Sequence, residues 1–434
     1  MSPLALGATA VFGIAAASGI GIPIGMSIAL VAIAGMLLTA GYPYVAVTLQ
    51  TLPYATAADY TFIVVPMFVL MGNIAAAAGI IEALFEAAHK WLSRMRGGLY
   101  VSTILASAGF AAVSGSTVVN AAVFTRLALP QMIRLGYDRA VSSGCIAAAG
   151  TFAVMIPPSL AFVLYGIMTG ESVGRLFIAG IIPGLLTAAI YLALVPAMVR
   201  IAPNWAPPPT ERYTLTEKMR SLRPLWAIAL LVGVVLGGIY TGLFPPSAAG
   251  AIGALGALLI ALARRRMTAA VFWDCVARSA TMASSLFLII IAGFLFSRFM
   301  VTSGFVPALV DWIGSSGMGP TEFLAFMVVF YFVLGMFIDG ASMAVITLPF
   351  MYPVAKSLGI DPVWFGVLFV KLVEIGAITP PVGINLFAVV SASEGQMKLT
   401  DAVRGIWPFV LVEIGILGLL IAFPALSTWL PATM

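Results

Sequence analysis

Two strings of small and hydroxyl residues, each followed by adjacent prolines inside apolar sequence, are the places where this chain could do chemistry. The first is Ser114-Gly115-Ser116-Thr117, with Pro157-Pro158-Ser159 downstream. The second is Gly335-Met336-Phe337-Ile338-Asp339-Gly340, with Thr379-Pro380-Pro381-Val382-Gly383 downstream. A proline removes a backbone donor and clashes with the preceding turn, so an apolar helix must open at a Pro-Pro pair and leave carbonyls without partners. Bare carbonyl and hydroxyl oxygens suit Na⁺, and the N-termini of the half-helices suit an anion. One broken helix is often only a kink. Two breaks at matched places, each opposite a small-residue turn, point to a transport site rather than to packing.

Enzyme chemistry fits these residues poorly. Ser114 and Ser116 are flanked by glycine, but a serine nucleophile needs a base, and His89 is the only histidine, placed outside the turn. A serine–lysine pair through Lys371 would need partners from opposite halves of the chain to meet. Cys145 and Cys275 sit in or beside apolar segments, so neither a disulfide framework nor a zinc site can be assembled.

The elements that must position these motifs follow from composition. The chain is 62% hydrophobic and 9% charged, too little polar surface to coat a water-exposed globule. A lipid bilayer is therefore its solvent, and at roughly 20 apolar residues per span the 434 residues allow about ten to twelve crossings. The 43 glycines and 27 prolines punctuate long apolar runs, as in packed and interrupted membrane helices. The net charge is only +5 and the basic residues lie between apolar runs, which excludes a nucleic-acid-binding surface and leaves topology to explain them. The segment from Met1 to Ala10 has no basic residue, so the first apolar run is expected to be a retained span.

Apolar spans are expected over 4–21, 23–40, 60–80, 138–168 and 176–199, then over 225–241, 245–263, 281–301, 362–392 and 405–428. Between the third and fourth members of each set, 98–135 and 318–356 read as re-entrant helical hairpins. Seventeen of the 21 lysines and arginines fall on one side of this arrangement, in the groups 90–96, 126–139, 200–223, 264–278 and 398–404. Five crossings per half is an odd number, so the second half enters the bilayer upside down. The expected fold is an all-α polytopic membrane protein of two inverted-topology repeats, residues 1–200 and 224–434, joined by a cytoplasmic, proline-rich linker at 201–223. The proline-broken helices are those at 138–168 and 362–392, and both termini fall outside the cytoplasm.

These motifs carry a resemblance. Gly150-Thr151, Pro157-Pro158-Ser159, Tyr165-Gly166, Leu176-Phe177 and Gly180-Ile181-Ile182-Pro183-Gly184, with Phe337-Ile338-Asp339, Gly359-Ile360-Asp361-Pro362 and Thr379-Pro380-Pro381-Val382-Gly383, are similar to the large membrane subunit (DctM-like) of the tripartite ATP-independent periplasmic (TRAP) transporters. The match runs in order over nearly the whole chain. It implies a Na⁺-coupled, elevator-type importer of small organic anions in a bacterial inner membrane. It also implies a small four-helix membrane subunit and a periplasmic substrate-binding protein as partners. No segment before Leu4 or after Leu430 has room for four more helices, so the small subunit is expected as a separate chain.

By that similarity one Na⁺ site lies among Ser114, Ser116, Thr117, Ala153, Ile156 and Pro158, and a second among Gly335, Gly376, Thr379 and Val382. The substrate carboxylate is then expected near Ser116, Asn120, Asp339, Thr379 and Asn385. A self-sufficient sodium–carboxylate symporter of similar plan, working without a binding protein, is the competing transporter reading.

Asp339, Lys371 and Glu374 fall in apolar stretches, where an unpaired charge costs at least about 2.5 kcal/mol. Lys371 and Glu374 are three apart and share a helix face, as a structural ion pair or as part of ion coupling. Asp339 either caps a helix or touches the solute. Glu82, Glu86, His89 and Lys90 lie on one amphipathic segment expected at the membrane interface, and Trp91, Trp205, Trp226, Trp312, Trp407 and Trp429 fall near span ends as interfacial anchors.

Overall fold

The computed structural model describes residues 2–209 and 211–433, and among them every regular element is helical. This is the outcome membrane burial enforces: without water, each backbone donor and acceptor must be satisfied within its own segment.

The first half opens with α1 (Pro3–Gly19), α2 (Ile24–Ala58), α3 (Val64–Ala77) and α4 (Ile80–Leu92). The 35-residue α2 bends at Gly41, where φ is 79°. A helical hairpin follows, α5 (Gly98–Ser114) and α6 (Thr117–Arg134). The next apolar run is in three pieces, α7 (Arg139–Gly150), α8 (Phe152–Met155) and α9 (Leu160–Thr169), and α10 (Val173–Ile201) closes the half.

The linker carries a short helix, α11 (Leu215–Leu222), started by a capping box between Thr214 and Glu217. The second half then runs α12 (Trp226–Tyr240), α13 (Pro246–Ala263), α14 (Ala269–Thr302) and α15 (Phe305–Ser316). A second hairpin, α16 (Pro320–Gly335) and α17 (Gly340–Ser357), precedes the interrupted pair α18 (Pro362–Ile378) and α19 (Ile384–Ala392), and α20 (Leu399–Ala422) follows.

Eight helical segments are long and apolar enough to cross a membrane. The two expected spans missing from that set are 4–21 and 362–392. The first is the 17-residue α1, and the second is divided at Thr379, which leaves 17 residues in α18.

The halves do not form separate bodies. α14 lies along α2, α13 along α3, and α20 along α7. The α7–α20 contact is backbone to backbone, since a Cβ on either Gly144 or Gly405 would overlap the other helix's main chain. Small residues at such crossings are what allow membrane helices to approach closely.

The linker is strapped to the base of the first hairpin. The Arg96 guanidinium donates to the carbonyls of Ala206 (3.0 Å) and Pro203 (2.5 Å), and the Tyr100 hydroxyl donates to that of Trp205 (2.9 Å). His89 Nε2 lies 2.7 Å from Glu211, and Trp91 Nε1 donates to the Lys218 carbonyl at 3.1 Å.

Candidate functional site

Both Pro-Pro strings open their helices, and each opening meets a hairpin tip. In the first, α8 ends at Met155, Ile156 is extended (φ −78°, ψ 121°), and the Ser159 side chain caps α9. In the second, α18 ends at Thr379 (φ −89°, ψ 126°) and α19 restarts from left-handed Gly383 (φ 54°). Pro157–Pro158 and Pro380–Pro381 are both cis.

The first tip turns at Gly115 (φ 62°), placed so that a Cβ there would lie 3.2 Å from the Pro158 carbonyl. At the second tip, Val382 N–H donates to the Met336 carbonyl at 3.3 Å. A Cβ on Gly335 would lie 2.8 Å from Gly376 Cα, so only paired glycines allow this approach.

Between the tips lies a cavity of about 170 Å³ whose wall includes Ser116, Thr117, Leu160, Asp339, Gly340 and Ile384. Thr117, Leu160, Gly340 and Ile384 are the first residues of α6, α9, α17 and α19. Four helix N-termini therefore converge on one space, each presenting the positive end of its dipole, while Ser159 caps α9 and Asp339 caps α17. No lysine or arginine lines the cavity, whereas the Asp339 carboxylate does, so the uncapped starts of α6 and α19 are its source of positive potential.

Asp339 serves as the cap of α17. Its Oδ1 accepts from the backbone N–H groups of Ala341 (3.0 Å) and Ser342 (3.1 Å), and its Oδ2 accepts from the Ser342 hydroxyl. The N-termini of α6 and α19 have no side-chain cap, which leaves their donors free.

Of the five residues expected around a carboxylate, Ser116 and Asp339 line the cavity, whereas Asn120, Thr379 and Asn385 are fully buried behind it. Asn120 sits between the middle of α5 and the end of α7, its Nδ2 3.5 Å from the carbonyls of Ser107 and Gly150. Thr379 donates its hydroxyl to the Ile375 carbonyl at 2.6 Å, and Asn385 donates its amide to the Ala147 carbonyl at 3.1 Å. The resemblance that suggests these three residues does not reveal that neighbouring backbone carbonyls engage them. Leu286 of α14 also lines the cavity, a contact with no signal in the sequence.

The residues assigned to the cation sites fit a hard, weakly polarising ion. Ser114 Oγ is buried without any hydrogen-bond partner, a cost of about 1–3 kcal/mol that a bound cation would relieve. Ala153, Ile156 and Pro158 are buried in and just beyond α8, which packs against α5. At the second opening Gly335, Gly376 and Thr379 come together, with Val382 bonded across to the tip. Among the described residues no group of three His, Cys, Asp or Glu side chains could hold a metal ion, and the oxygens these openings offer are hydroxyls and carbonyls.

A second polar cluster lies behind the openings. Lys371 and Glu374 of α18 and Glu413 of α20 are all fully buried, with the Lys371 ammonium between the two carboxylates, 2.9 Å from Glu374. The Thr187 hydroxyl accepts from Lys371 at 3.0 Å, the Tyr191 hydroxyl donates to Glu413 at 2.6 Å, and Thr151 Oγ1 is 2.9 Å from Glu374. The 371/374 spacing announces the first pair. Glu413 is the intramembrane charge that the sequence reading passes over, although its place inside the span at 405–428 is itself the signal.

His89 is engaged by the linker residue Glu211, and the Ser114 hydroxyl has no hydrogen-bond partner.

The family model for the DctM component of the tripartite ATP-independent periplasmic transporter matches residues 11–426. The chain belongs to this family. It is the large permease subunit of a TRAP transporter, a multi-pass membrane protein and not an enzyme. Among its TRAP relatives is the C4-dicarboxylate TRAP transporter large permease protein DctM of Pseudomonas aeruginosa, 34% identical over 87% of this chain and 88% of that protein. The 2,3-diketo-L-gulonate TRAP transporter large permease protein YiaN of Escherichia coli is 33% identical over 85% of this chain and 86% of its own length. The isethionate TRAP transporter permease protein DctMQ of Oleidesulfovibrio alaskensis is 29% identical over 95% of this chain but only 63% of that protein. In fold, the TRAP permease is similar to the YdaH transporter of Alcanivorax borkumensis, with a TM-score of 0.59, 14% identity and 90% coverage of both chains.

Proposed function

We propose that this permease imports a small organic anion by Na⁺ coupling, receiving it from a periplasmic substrate-binding protein and working with a small four-helix membrane subunit. The observation that carries the reading is the convergence of four helix N-termini, those of α6 and α19 uncapped, on one cavity that has no basic side chain. Such a space attracts a carboxylate without binding it as tightly as a buried arginine would, which suits a solute that must leave again.

Sodium enters this reading as counter-charge. Ser114, Ser116, Thr117 and the backbone of Ala153, Ile156 and Pro158 would hold one ion; Gly335, Gly376, Thr379 and Val382 would hold the other. Bound there, the ions supply positive charge beside the cavity and fix the opened backbone. The chain's own part is to orient the α6 and α19 N–H groups at the solute, to cap α17 with Asp339, and to exclude water with the apolar wall.

The matched order of hairpin, interrupted helix and long helix in the two halves supports an inverted repeat. The two hairpins and two interrupted helices would then move as one transport unit against the remaining helices, in an elevator mechanism. The lysine and arginine distribution supports an orientation with both termini periplasmic, and membership of the family supports the inner membrane. The relatives' names include C4-dicarboxylate, 2,3-diketo-L-gulonate and isethionate, all small anions, which supports an organic anion as the class carried here.

The test is uptake into liposomes containing this chain and its small subunit, with the binding protein outside. Uptake of a radiolabelled organic acid panel is expected only with an inward Na⁺ gradient and only with the binding protein. Equal uptake in choline, or uptake by this chain alone, sinks the reading.

A further inference from the structure

The two helix openings are joined by a buried polar strut. Thr151 forms the junction between α7 and α8, four residues before the α8 helix ends, and its hydroxyl is shared between the Ala148 carbonyl at 2.7 Å and Glu374 Oε1 at 2.9 Å. Glu374 is in the last turns of α18, just before Gly376, whose backbone packs on Gly335 at the second hairpin tip. On the other side, the α7 end is bound to the first hairpin, since the Ser107 hydroxyl donates to the Ala149 carbonyl at 2.7 Å. A run of contacts therefore leads from the first hairpin through Thr151 and Glu374 to the second tip.

Glu374 is held on this path by Lys371, which is itself fixed by Thr187 and Glu413. In an apolar interior such a group has few alternative partners, so each carboxylate oxygen stays where its hydrogen bond places it. The strut also joins the two halves of the sequence: Thr151 lies in the first and Glu374 in the second. Structural packing alone would be served by apolar residues of similar size, with no desolvation penalty.

We propose that Thr151, Glu374 and Lys371 are positioning residues that couple the two openings, so that fixing the backbone of one predisposes the other to hold its ion. This rests on the sodium reading above and adds to it the route by which the two sites sense each other. Coupling of this kind changes affinity typically by about 5- to 150-fold.

The experiment is equilibrium binding of radioactive Na⁺ to the full chain in detergent, at constant ionic strength with choline chloride as balance, with the thermal midpoint in choline measured alongside. Wild type is expected to titrate with a Hill coefficient above 1. Thr151→Val should bring the coefficient to 1 and raise half-saturating Na⁺ about tenfold, and Thr151→Ser should restore both. Tyr191→Phe, which cuts the same cluster away from the strut, should lower the midpoint in choline but leave the Hill coefficient as in wild type.

A Thr151→Val protein that titrates like wild type overturns the coupling while leaving the sodium reading intact. A wild type with no Na⁺ response overturns the sodium reading itself. Should Thr151→Val fail to fold, Ser114→Ala serves. Its Na⁺-dependent hydrogen-exchange protection at residues 379–383 should require about tenfold more Na⁺ than in wild type, and an unchanged requirement overturns the coupling.

Discussion

Gly335 and Gly376 meet main chain to main chain, each so close that a Cβ on one would fall within 2.8 Å of the other's Cα. That contact seats the second hairpin tip on the second helix opening, and no larger residue preserves it. Gly376→Ala forces backbone, not a flexible side chain, to move, and overpacking of this kind costs about 1–3 kcal/mol. Its melting midpoint in detergent should fall by the corresponding amount, and the rise on adding NaCl in place of choline chloride should shrink.

Ser114 gives the opposite balance. Its hydroxyl is buried and unpartnered, so Ser114→Ala should leave stability in choline unchanged or raise it by about 1 kcal/mol. The same variant should need several times more Na⁺ to reach its full thermal stabilisation. Loss of stability in choline with unchanged Na⁺ dependence would remove Ser114 from the ion site.

The buried trio makes a prediction about which substitutions can be combined. Lys371→Met leaves Glu374 and Glu413 facing each other in an apolar interior and should cost about 3–5 kcal/mol, read as lost folded yield and a lower midpoint. Adding Glu374→Gln and Glu413→Gln removes the orphaned charges and should recover most of that loss. A triple variant no better than the single one would show that charge is not what binds these residues together.

Asp339 separates capping from solute contact. Asp339→Asn keeps an acceptor for the Ala341 and Ser342 N–H groups and should retain stability and uptake, while Asp339→Ala should lose about 0.5–2 kcal/mol. Abolished uptake in a stable Asp339→Asn protein would mean that the carboxylate meets the solute or ion directly.

The linker strap should loosen in acid. Burial pushes the Glu211 carboxyl up, but hydrogen bonds from His89 and Tyr213 outweigh it and hold the group below its ordinary value of 4.5. A depressed carboxylate stabilises the fold above its unfolded value, and that contribution is lost as pH falls through the folded one. A spin label at position 207 should therefore gain mobility below about pH 4.5. Glu211→Gln should show the same mobility at neutral pH.

Much of the site was legible because it breaks rules that membrane sequences otherwise obey. Pro157-Pro158 and Pro380-Pro381 cannot continue a helix, and the chain leaves helical geometry at Ile156 and Thr379. The 371/374 pair was legible because helix spacing alone brings it together. Glu413 was not recognised as its third member, since α18 and α20 meet only in the fold, and a sequence does not show that the Asn120 and Asn385 amides reach neighbouring carbonyls.

The amino-acid order by itself determined that this chain lives in a bilayer as helices, where they open, and to which family it belongs, because hydropathy and proline act locally. Tertiary structure alone decided that the starts of α6, α9, α17 and α19 face one cavity, that Asp339 turns to its own helix, and that Thr151 reaches Glu374 from the other half of the chain. Those are relations between distant segments, set by how apolar helices pack once the bilayer has removed water as a competing partner.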